Sequence, residues 1–456
     1  CFAEVEGFSN FGSYVGNGST SGSTVVTGFE PAMVIIKRTD STGDWRIWDN
    51  KRSIENPRNE VLKPNTSEAE ETNSPNAVID FLENGFQPKS THSSVNASGA
   101  SYIYMAFAAD PTTIEPTLED SFNTVLYTGN GGTQSVTGVG FEPSMVWLKD
   151  RDNVTNHQLV DAVRGFNNGG FGGANTYLNL VPNETYAENT SSSNFQNYGY
   201  LTSLDSDGFT VVNGSGHPAD SYNSNGNDFV AWAWKGAELP AINSNGSIPS
   251  VVSANPAAGF SIVSYTGNNI AGATIGHGLG AEPDMIIVKN RDTTDIWTVQ
   301  HSALTYTDYI DLSSTNAATT NTAVWYAQPT TEVFSFGANP RGNGSGNKHI
   351  AYCFAEVAGF SKFGSYTGNG SNQYVNLGFE PAFIMVKRTN GTGTWGMFDN
   401  KRGLSAPQPR LLANDSAAEN TGTTYWASTD STGFTVQGSS IYGTGDFIYM
   451  AFANQF

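Results

Sequence analysis

Short apolar runs alternate along the chain with clusters of Gly, Asn, Ser and Asp, a pattern typical of strands separated by turns. In the first quarter of the chain this pattern predicts strands at 11–15, 33–38, 45–49, 60–62, 78–81, 86–89 and 102–108. The strand at 102–108 carries large side chains on both faces, Ile103 and Met105 on one and Tyr102 and Tyr104 on the other. A strand of this kind is expected in the middle of a sheet that is covered on both sides. No segment keeps a helical apolar spacing without a Gly, Pro or Asn interrupting it, so we predict an all-β protein.

Three sequence blocks recur four times along the chain. A Tyr-x-Gly-Asn block starts at Tyr14, Tyr127, Tyr265 and Tyr366. A Gly-x-Glu-Pro block follows each, with its glutamate at Glu30, Glu142, Glu282 and Glu380, and an aromatic-rich strand closes each unit. We therefore predict four tandem antiparallel β-sandwich domains of a jelly-roll or lectin-like kind: repeat 1 (1–109), repeat 2 (110–236), repeat 3 (237–357) and repeat 4 (358–456). Short joints are expected near 110–119 and 236–256, whereas repeats 3 and 4 are nearly continuous.

Charge and composition exclude several classes of protein. The formal net charge is −20 and no run of Lys or Arg occurs, so a nucleic-acid partner is not expected. The apolar runs are far shorter than the roughly 20 residues of a membrane-spanning helix, so membrane insertion is not expected either. With Gly and Pro frequent and charged residues at only 14%, the composition indicates a soluble, extracellular type of β protein.

The two cysteines occupy one position of the repeat. Cys1 begins Cys-Phe-Ala-Glu-Val and Cys353 begins the same five residues. Equivalent positions in separate domains rarely approach within about 7 Å, so we predict neither a disulfide nor a lipid anchor but a small apolar strand residue at both. Cys1 then corresponds to the middle of a strand, which suggests that the chain is a fragment.

Two polar motifs recur with the repeats. A lysine follows each Glu-Pro glutamate by seven positions, at Lys37, Lys149, Lys289 and Lys387. Odd spacing places Glu and Lys on opposite strand faces, so we expect Glu30 in the Pro31 turn and the lysine at the surface end of the strand. An Asp-x-x-Arg motif follows at 49–52, 161–164 and 399–402, with His301 and Leu304 at these places in repeat 3. We expect a local turn held by an ion pair, worth under about 1 kcal/mol if exposed, with a ligand-gripping pair as the alternative.

Signatures of metal binding and catalysis are weak. Asp205-Ser206-Asp207-Gly208 resembles the start of a calcium loop, but the later oxygen ligands are missing, so we predict a turn. Glu282-Pro283-Asp284 fits the start of a Glu-x-Asp-x-x-Glu glycosidase strand, but Ile287 stands where the last carboxylate belongs. The Gly-rich stretch 169–173 lacks the Lys-Ser/Thr of a phosphate loop. The six histidines show no metal-ligand spacing: His92, His157, His217, His277, His301 and His349. We therefore predict no catalytic residue, metal or cofactor.

Longer motifs carry a resemblance to a known family. The succession Gly-Phe-x-Pro, an apolar run, Lys-Arg, a Trp strand and Asp-x-x-Arg, closing on Tyr-Ile-Tyr-x-Ala-Phe-Ala, resembles repeats in bacteriophage tail proteins, notably those of marine and cyanobacterial phages. The best matches are 8–52 with 96–109 and 360–402 with 447–453, and repeat 2 resembles a variant at 206–211 and 230–235. In that family the repeat is a domain of unknown function. The resemblance implies a virion setting and brings no catalytic residues.

These observations support three hypotheses. The first is a non-catalytic tail or fibre protein of a virion, extracellular, acting as spacer and host-surface adhesin, whose partners are other virion proteins, copies of itself and host glycans. The second is a secreted or surface-displayed carbohydrate-binding protein, and a polysaccharide depolymerase is third. For sugar stacking the chain offers Trp45, Trp48, Trp297, Trp325, Trp395 and Trp426, although core packing is the commoner use of such side chains. Neither a receptor nor an oligomeric state follows from the sequence.

Overall fold

A computed structural model describes residues 2, 4, 7–53, 55–72, 77–108, 121–165, 178–188, 198–214, 221–237 and 239–453. Regular structure in these residues is almost entirely β, and their strands pair antiparallel, with one isolated parallel bridge between Ile248 and Ile275. It divides into two compact units, unit 1 (Cys1–Glu115) and unit 2 (Pro116–Phe456). Unit 1 contains repeat 1, and unit 2 contains repeats 2, 3 and 4. The all-β prediction is confirmed.

Unit 1 consists of two sheets. The larger contains, in spatial order, β1 (Ser9–Val15), β7 (Ser101–Ala108), β3 (Pro31–Arg38) and β4 (Arg46–Asp49). The smaller contains β2 (Val25–Val26), β6 (Gly85–Pro88) and β5 (Ile79–Leu82). The closing strand β7 lies between β1 and β3, in the middle of its sheet as its pattern predicts.

Repeat 2 has the same two sheets. The larger contains β11 (Gln158–Asp161), β10 (Met145–Asp150), β14 (Asp228–Trp234) and β8 (Phe122–Thr128). The smaller contains β12 (Tyr200–Asp205), β13 (Gly208–Val212) and β9 (Thr133–Thr137). The turn before β13 requires glycine, because Gly208 has φ 154° and an added Cβ would lie 1.9 Å from the Val136 carbonyl oxygen.

Repeat 3 has the widest sheet. It runs β15 (Ala241–Asn243), β16 (Ser250–Asn255), β17 (Phe260–Thr266), β25 (Lys348–Phe354), β19 (Met285–Asn290), β20 (Thr298–His301), β21 (Asp308–Asp311) and β22 (Thr319–Thr320). The smaller sheet contains β18 (Ala273–Gly276), β24 (Val333–Phe336) and β23 (Trp325–Ala327), and the helical turn α1 (Pro340–Asn343) precedes β25. The predicted joint at 236–256 is therefore wrong in part, because β15 and β16 lie within it and extend the sheet. The other predicted joint, 110–119, lies outside the described residues.

Repeat 4 repeats the arrangement of unit 1. Its larger sheet contains β26 (Ser361–Asn369), β33 (Thr444–Ala453), β28 (Pro381–Arg388), β29 (Gly396–Asp399) and β30 (Leu411–Leu412). Its smaller sheet contains β27 (Gln373–Asn376), β32 (Gly433–Val436) and β31 (Trp426–Asp430).

Each repeat buries its own apolar cluster between its two sheets. In unit 1 this outer cluster includes Val34, Ile36, Trp48 and Phe86, and the other repeats have equivalent clusters. These residues alternate along their strands with a second set on the opposite face of the larger sheet. We call that opposite face the inner face, and in unit 2 it has a separate use.

Candidate functional site

The inner faces of repeats 2, 3 and 4 meet in one buried cluster, which we call the central core. Its central strands contribute Met145, Trp147, Trp232 and Trp234 from repeat 2, Met285, Ile287, Tyr352 and Phe354 from repeat 3, and Phe383, Met385, Met450 and Phe452 from repeat 4. All of them are at most 3% exposed. Three sheets thus share one hydrophobic interior, which explains why the three repeats form a single compact unit.

Equivalent residues of the three repeats contact one another at the centre. Trp234, Phe354 and Phe452 occupy the same position of their closing strands. Their ring centroids are 6.2 Å apart for Trp234 and Phe354, 5.9 Å for Trp234 and Phe452, and 6.2 Å for Phe354 and Phe452. This near-equilateral triangle shows that the repeats surround a local approximate threefold axis.

A second set of equivalent residues joins each repeat to a neighbour by a ring N–H. The Trp297 indole donates to the Val181 carbonyl of repeat 2 at 3.1 Å, and the Trp395 indole donates to the Asp311 carbonyl of repeat 3 at 2.8 Å. His157 has the same place in repeat 2, and its Nε2 lies 2.9 Å from the Leu412 carbonyl oxygen of repeat 4. The three bonds close a ring of contacts, which we describe as three seams.

The seam between repeats 2 and 3 contains a buried chain of charges. Arg164 Nε lies 2.5 Å from Asp161 Oδ2, and Arg164 Nη1 lies 2.8 Å from Glu188 Oε1. Across the seam, Arg291 Nη2 lies 2.7 Å from Glu188 Oε2, and the Tyr352 hydroxyl donates to Asp161 Oδ2 at 2.6 Å. The predicted Asp-x-x-Arg turn is present, since Arg164 N also donates to Asp161 Oδ1. The exposed setting considered for it is wrong, because the side chains of Asp161 and Arg164 are 0% exposed.

The seam between repeats 4 and 2 contains the same chain. Arg402 lies 2.6 Å from Asp399 and 2.9 Å from Glu419, whose other oxygen lies 2.8 Å from Arg151 of repeat 2. The Trp232 indole donates to Asp399, as Tyr352 does to its counterpart in the first seam. Burial alone would raise the pKa of Glu419, but hydrogen bonds and charges from Arg151 and Arg402 outweigh it and keep this pKa below its usual value.

The third seam, between repeats 3 and 4, replaces all four charged positions. His301 and Leu304 stand in place of Asp and Arg, Ala318 in place of Glu, and Thr389 in place of the arginine across the seam. The backbone is unchanged, because Ala318 N donates to the Thr389 carbonyl at 2.9 Å as Glu188 N and Glu419 N donate to their arginines. His301 Nε2 lies 3.1 Å from the Tyr449 carbonyl oxygen, and burial lowers its pKa to about 4, so this ring is neutral at pH 7.

The repeated lysines lie at these seams and not at the surface. Lys149, Lys289 and Lys387, which we call the lysine trio, are 0% exposed, so the predicted surface position is wrong for them. Each follows a central-core residue by two positions and so lies on the inner face of its strand. The ammonium groups donate to carbonyls, including Thr185 of repeat 2 for Lys289 and Asn316 of repeat 3 for Lys387. Burial lowers the pKa of each to about 8.

The tryptophans considered for sugar binding are mostly structural. Of the six, five are at most 1% exposed: Trp48, Trp297, Trp325, Trp395 and Trp426. Core packing is thereby confirmed for these five. Trp45 is half-buried and is the remaining candidate.

The other candidate residues of the sequence serve local structure. Asp207 accepts hydrogen bonds from the amides of Gly138 and Gly140, and Asp205 accepts one from Thr210, which confirms a turn. Ile287 lies in the central core, and Asp284 accepts the Glu356 amide.

Described histidines and cysteines likewise have structural settings. His277 Nε2 lies 3.0 Å from the Thr330 carbonyl oxygen, and His349 stacks on Tyr265. Cys353 is a buried free thiol in β25, as predicted for that position. Cys1, His217 and the stretch 169–173 lie outside the described residues. Within the described part of the chain, no group of three or more His, Cys, Asp or Glu side chains is placed to bind a metal, and no helix is long and apolar enough to cross a membrane.

A cavity of about 10 Å³ lies within the central core, lined by residues of all three repeats that include Trp147, Ile287 and Met450. It has the size of about one water molecule and presents no polar surface, so it offers no ligand site. The arrangement of the central core and seams is thus suited to holding three repeats together.

Comparison with known proteins gives one family. The model of a domain of unknown function (DUF7483) matches residues 1–111 and 117–455. The first segment is about a third as long as the second, which spans the three repeats of unit 2. No curated protein and no solved structure matches the chain. The matched segments cover nearly all of the sequence, and the chain therefore belongs to the DUF7483 family.

Proposed function

We propose that the chain is a non-catalytic structural component of an extracellular assembly, a virion tail or fibre, in which tandem β-sandwich repeats of a jelly-roll kind act as stiff spacers. The observation that carries this proposal is how the recurrent polar residues of the repeat are used. Both Asp-Arg-Glu-Arg chains of unit 2 and two members of the lysine trio, Lys289 and Lys387, bond across the seams between repeats. Residues that recur for catalysis would instead converge on an accessible cleft.

A stiff spacer also suits the energetics of the seams. Three sheets that share one dry core and are linked by buried ion pairs cannot hinge without exposing apolar surface, at a cost of roughly 25 cal/mol per Å². Repeats joined in this way transmit position along an assembly, whereas independent beads on linkers would not. The partners we propose are other virion proteins and further copies of these repeats.

Labelling of purified particles tests the virion setting. An antibody raised against the 456-residue chain and imaged by electron microscopy on particles encoding it is expected to decorate tails or fibres, while a pre-immune antibody does not. Decoration of the capsid alone, or of no part of the particle although the chain is expressed, would refute the proposal.

The adhesive role is a second proposal, and it requires an exposed recognition surface. Among the described residues of unit 2, the exposed aromatic side chains are Tyr186, Tyr306, Tyr326 and Tyr374. Tyrosines at this exposure can stack on sugars while their hydroxyls hydrogen-bond, which favours host glycans as ligands. A glycan array probed with the chain, and with a Tyr306→Ala and Tyr326→Ala double variant, tests this role. Binding that the double variant retains in full would exclude these two side chains, and a silent array would leave only the spacer role.

A further inference from the structure

Unit 1 has the inner face of a central core without the other two sheets that complete one in unit 2. The registers of β1 with β7 and of β26 with β33 are equivalent: Phe11 pairs with Met105 and Phe363 with Met450. Unit 1 therefore presents Phe11, Met33, Ile35, Ile47, Met105 and Phe107 where repeat 4 presents six residues of the central core. The two sets of six residues have equivalent strand positions, and all of their side chains are apolar.

The exposure of this face differs sharply between the two places. Ile103 is 41% exposed and Leu62 is 37% exposed, whereas their counterparts Ile448 and Leu411 are at most 1% exposed. The six residues just named are all partly exposed in unit 1. The outer cluster of the same sheet is fully buried, with Val34 and Trp48 both 0% exposed. The sandwich of unit 1 is therefore complete on one side, and an apolar face remains on the other.

The charges of unit 1 indicate what covers this face. Arg52 lies 2.6 Å from Asp49 and 2.5 Å from Glu70, which reproduces the first three members of the chain Asp399–Arg402–Glu419. Glu70 is 29% exposed, and among the described residues its second oxygen makes no hydrogen bond. The fourth member, the arginine that a neighbouring repeat supplies in unit 2, has no counterpart among the residues that the structure describes.

A second copy of unit 1 does not supply that arginine. The position of Arg151, two residues after the repeated lysine, is Thr39 in unit 1 and Thr389 in repeat 4. Within unit 2, Thr389 faces Ala318 of repeat 3, and Arg151 of repeat 2 faces Glu419. Unit 1 thus has both contact positions of repeat 4. Glu70 corresponds to Glu419 and matches a repeat like repeat 2, and Thr39 corresponds to Thr389 and matches a repeat like repeat 3.

Trp45 and Thr39 indicate the same kind of neighbour, a repeat like repeat 3. Its counterpart Trp395 donates its indole N–H to the Asp311 carbonyl of repeat 3, whereas the Trp45 indole makes no hydrogen bond among the described residues. A repeat like repeat 3 would supply this carbonyl from the strand equivalent to β21.

We propose that the inner face of unit 1 is an interface for a pair of DUF7483 repeats, one like repeat 2 and one like repeat 3, with which it completes a second closed three-repeat unit. The apolar face supplies the shared core, Glu70 receives the arginine of the first repeat, and Trp45 donates to the second. This interface does not depend on the virion role.

The seven methionines of the chain provide a direct test, because all of them lie on inner faces. Met145, Met285, Met385, Met397 and Met450 are in the central core, and Met33 and Met105 are in the open face of unit 1. In the 456-residue chain, peroxide is expected to oxidise Met33 and Met105 well before the other five, measured by peptide mass spectrometry.

An extended chain in which a copy of residues 117–352 directly precedes Cys1 supplies both proposed partners with the Tyr-Cys junction that repeats 3 and 4 share. The oxidation of Met33 and Met105 is then expected to slow on the order of tenfold or more, to the rate of the central-core methionines, because it requires the new core to open. Unchanged oxidation of both methionines in the extended chain would overturn the proposal.

Two variants of the extended chain distinguish the specific interface from non-specific hydrophobic association. Phe107→Asp is expected to restore rapid oxidation, whereas the matched control Val26→Asp, at an exposed position of the smaller sheet, is expected to leave protection intact. In the added copy of repeat 2, replacing the arginine that corresponds to Arg151 by threonine is expected to speed the oxidation of Met33 and Met105. The same replacement is expected to have a smaller effect when the extended chain already carries Glu70→Gln. If the 456-residue chain itself sediments at three times its mass of 48.7 kDa with Met33 and Met105 protected, copies of unit 1 cover one another and the proposed pair is wrong.

Discussion

Glu419→Ala tests the role of the buried charge chains most sharply. The change removes a carboxylate with a 6% exposed side chain from between two guanidinium groups. Arg402, whose side chain is 0% exposed, then keeps Asp399 as its one ionic partner within the described part of the chain. Arg151 is 19% exposed and has Asp228 at 4.0 Å. Breaking a buried ion pair costs about 3–5 kcal/mol. Because Arg151 has this second partner, we expect the free energy of unfolding of unit 2 to fall by about 3 kcal/mol.

The third seam supplies a matched rescue. Unit 2 already contains a neutral version of these four positions, which the substitutions Asp399→His, Arg402→Leu, Glu419→Ala and Arg151→Thr together transfer to the seam between repeats 4 and 2. Trp232, whose place is held by Met450 in the third seam, loses the Asp399 oxygen to which its indole donates. Replacing a buried ion cluster by packed apolar groups is often neutral or stabilising. The Trp232 indole N–H left without an acceptor costs about 1–3 kcal/mol, so we expect the fourfold variant to lose about that much and far less than the sum of the four single losses.

Urea unfolding followed by tryptophan fluorescence measures both values, with the free energy of unfolding of unit 2 extrapolated to water. Strong non-additivity is the expected signature of residues that act as one network. The reasoning would be refuted if Glu419→Ala cost less than about 1 kcal/mol, or if the four substitutions destabilised unit 2 by the sum of their single effects.

Three further predictions concern the same core. Phe452→Ala is expected to cost about 3–5 kcal/mol in urea unfolding, and its counterpart Phe107→Ala about half of that or less, because the latter side chain is already partly exposed; equal costs would contradict a closed core. Burial lowers the pKa of each member of the lysine trio from 10.5 to about 8, so above pH 8 the unfolded chain binds more protons than the folded one. The free energy of unfolding of unit 2 should therefore rise by about 1–3 kcal/mol between pH 8 and 9, and Lys289→Met should reduce this rise by about a third. The folded-state pKa of about 4 at His301, against 6.5 when unfolded, predicts that stability falls as the pH drops from 6.5 to 4, and His301→Gln should flatten the fall in acid titrations; an unchanged slope would exclude this ring as the cause.

The strand pattern predicted the β sheets closely, because alternation and turn chemistry are local. The strand predicted at 102–108 is β7 (Ser101–Ala108), and the one at 33–38 is β3 (Pro31–Arg38). The same alternation showed bulk on both faces of the closing strand. The cover predicted on both sides of that strand is wrong for the inner face of unit 1, where Ile103 is 41% exposed. Cover of that face depends on contacts between repeats far apart in sequence, which a local pattern does not report.

The seams could not be found from one repeat at a time. Glu188 and Glu419 carry no local motif, and the arginines they bind belong to other repeats. One signal was available in the sequence: repeat 3 loses Asp and Arg together at 301 and 304, and repeat 4 has a threonine in place of the arginine at 389. Positions that change together in this way are expected to share an interface, and here they belong to the seam between repeats 3 and 4. The lysines were misplaced for a related reason, because a lysine at a strand end is usually solvated.

Differential scanning calorimetry of the 456-residue chain tests the central claim most directly, that repeats 2, 3 and 4 share one core and unfold as one body. From about 0.7 kcal/mol per residue near 60 °C, unit 2 should unfold in one transition of about 240 kcal/mol with equal calorimetric and van't Hoff enthalpies. Phe452→Ala should shift that entire transition and leave the unit 1 transition in place. Three separate transitions of about 80 kcal/mol each, only one of them shifted by Phe452→Ala, would contradict the account.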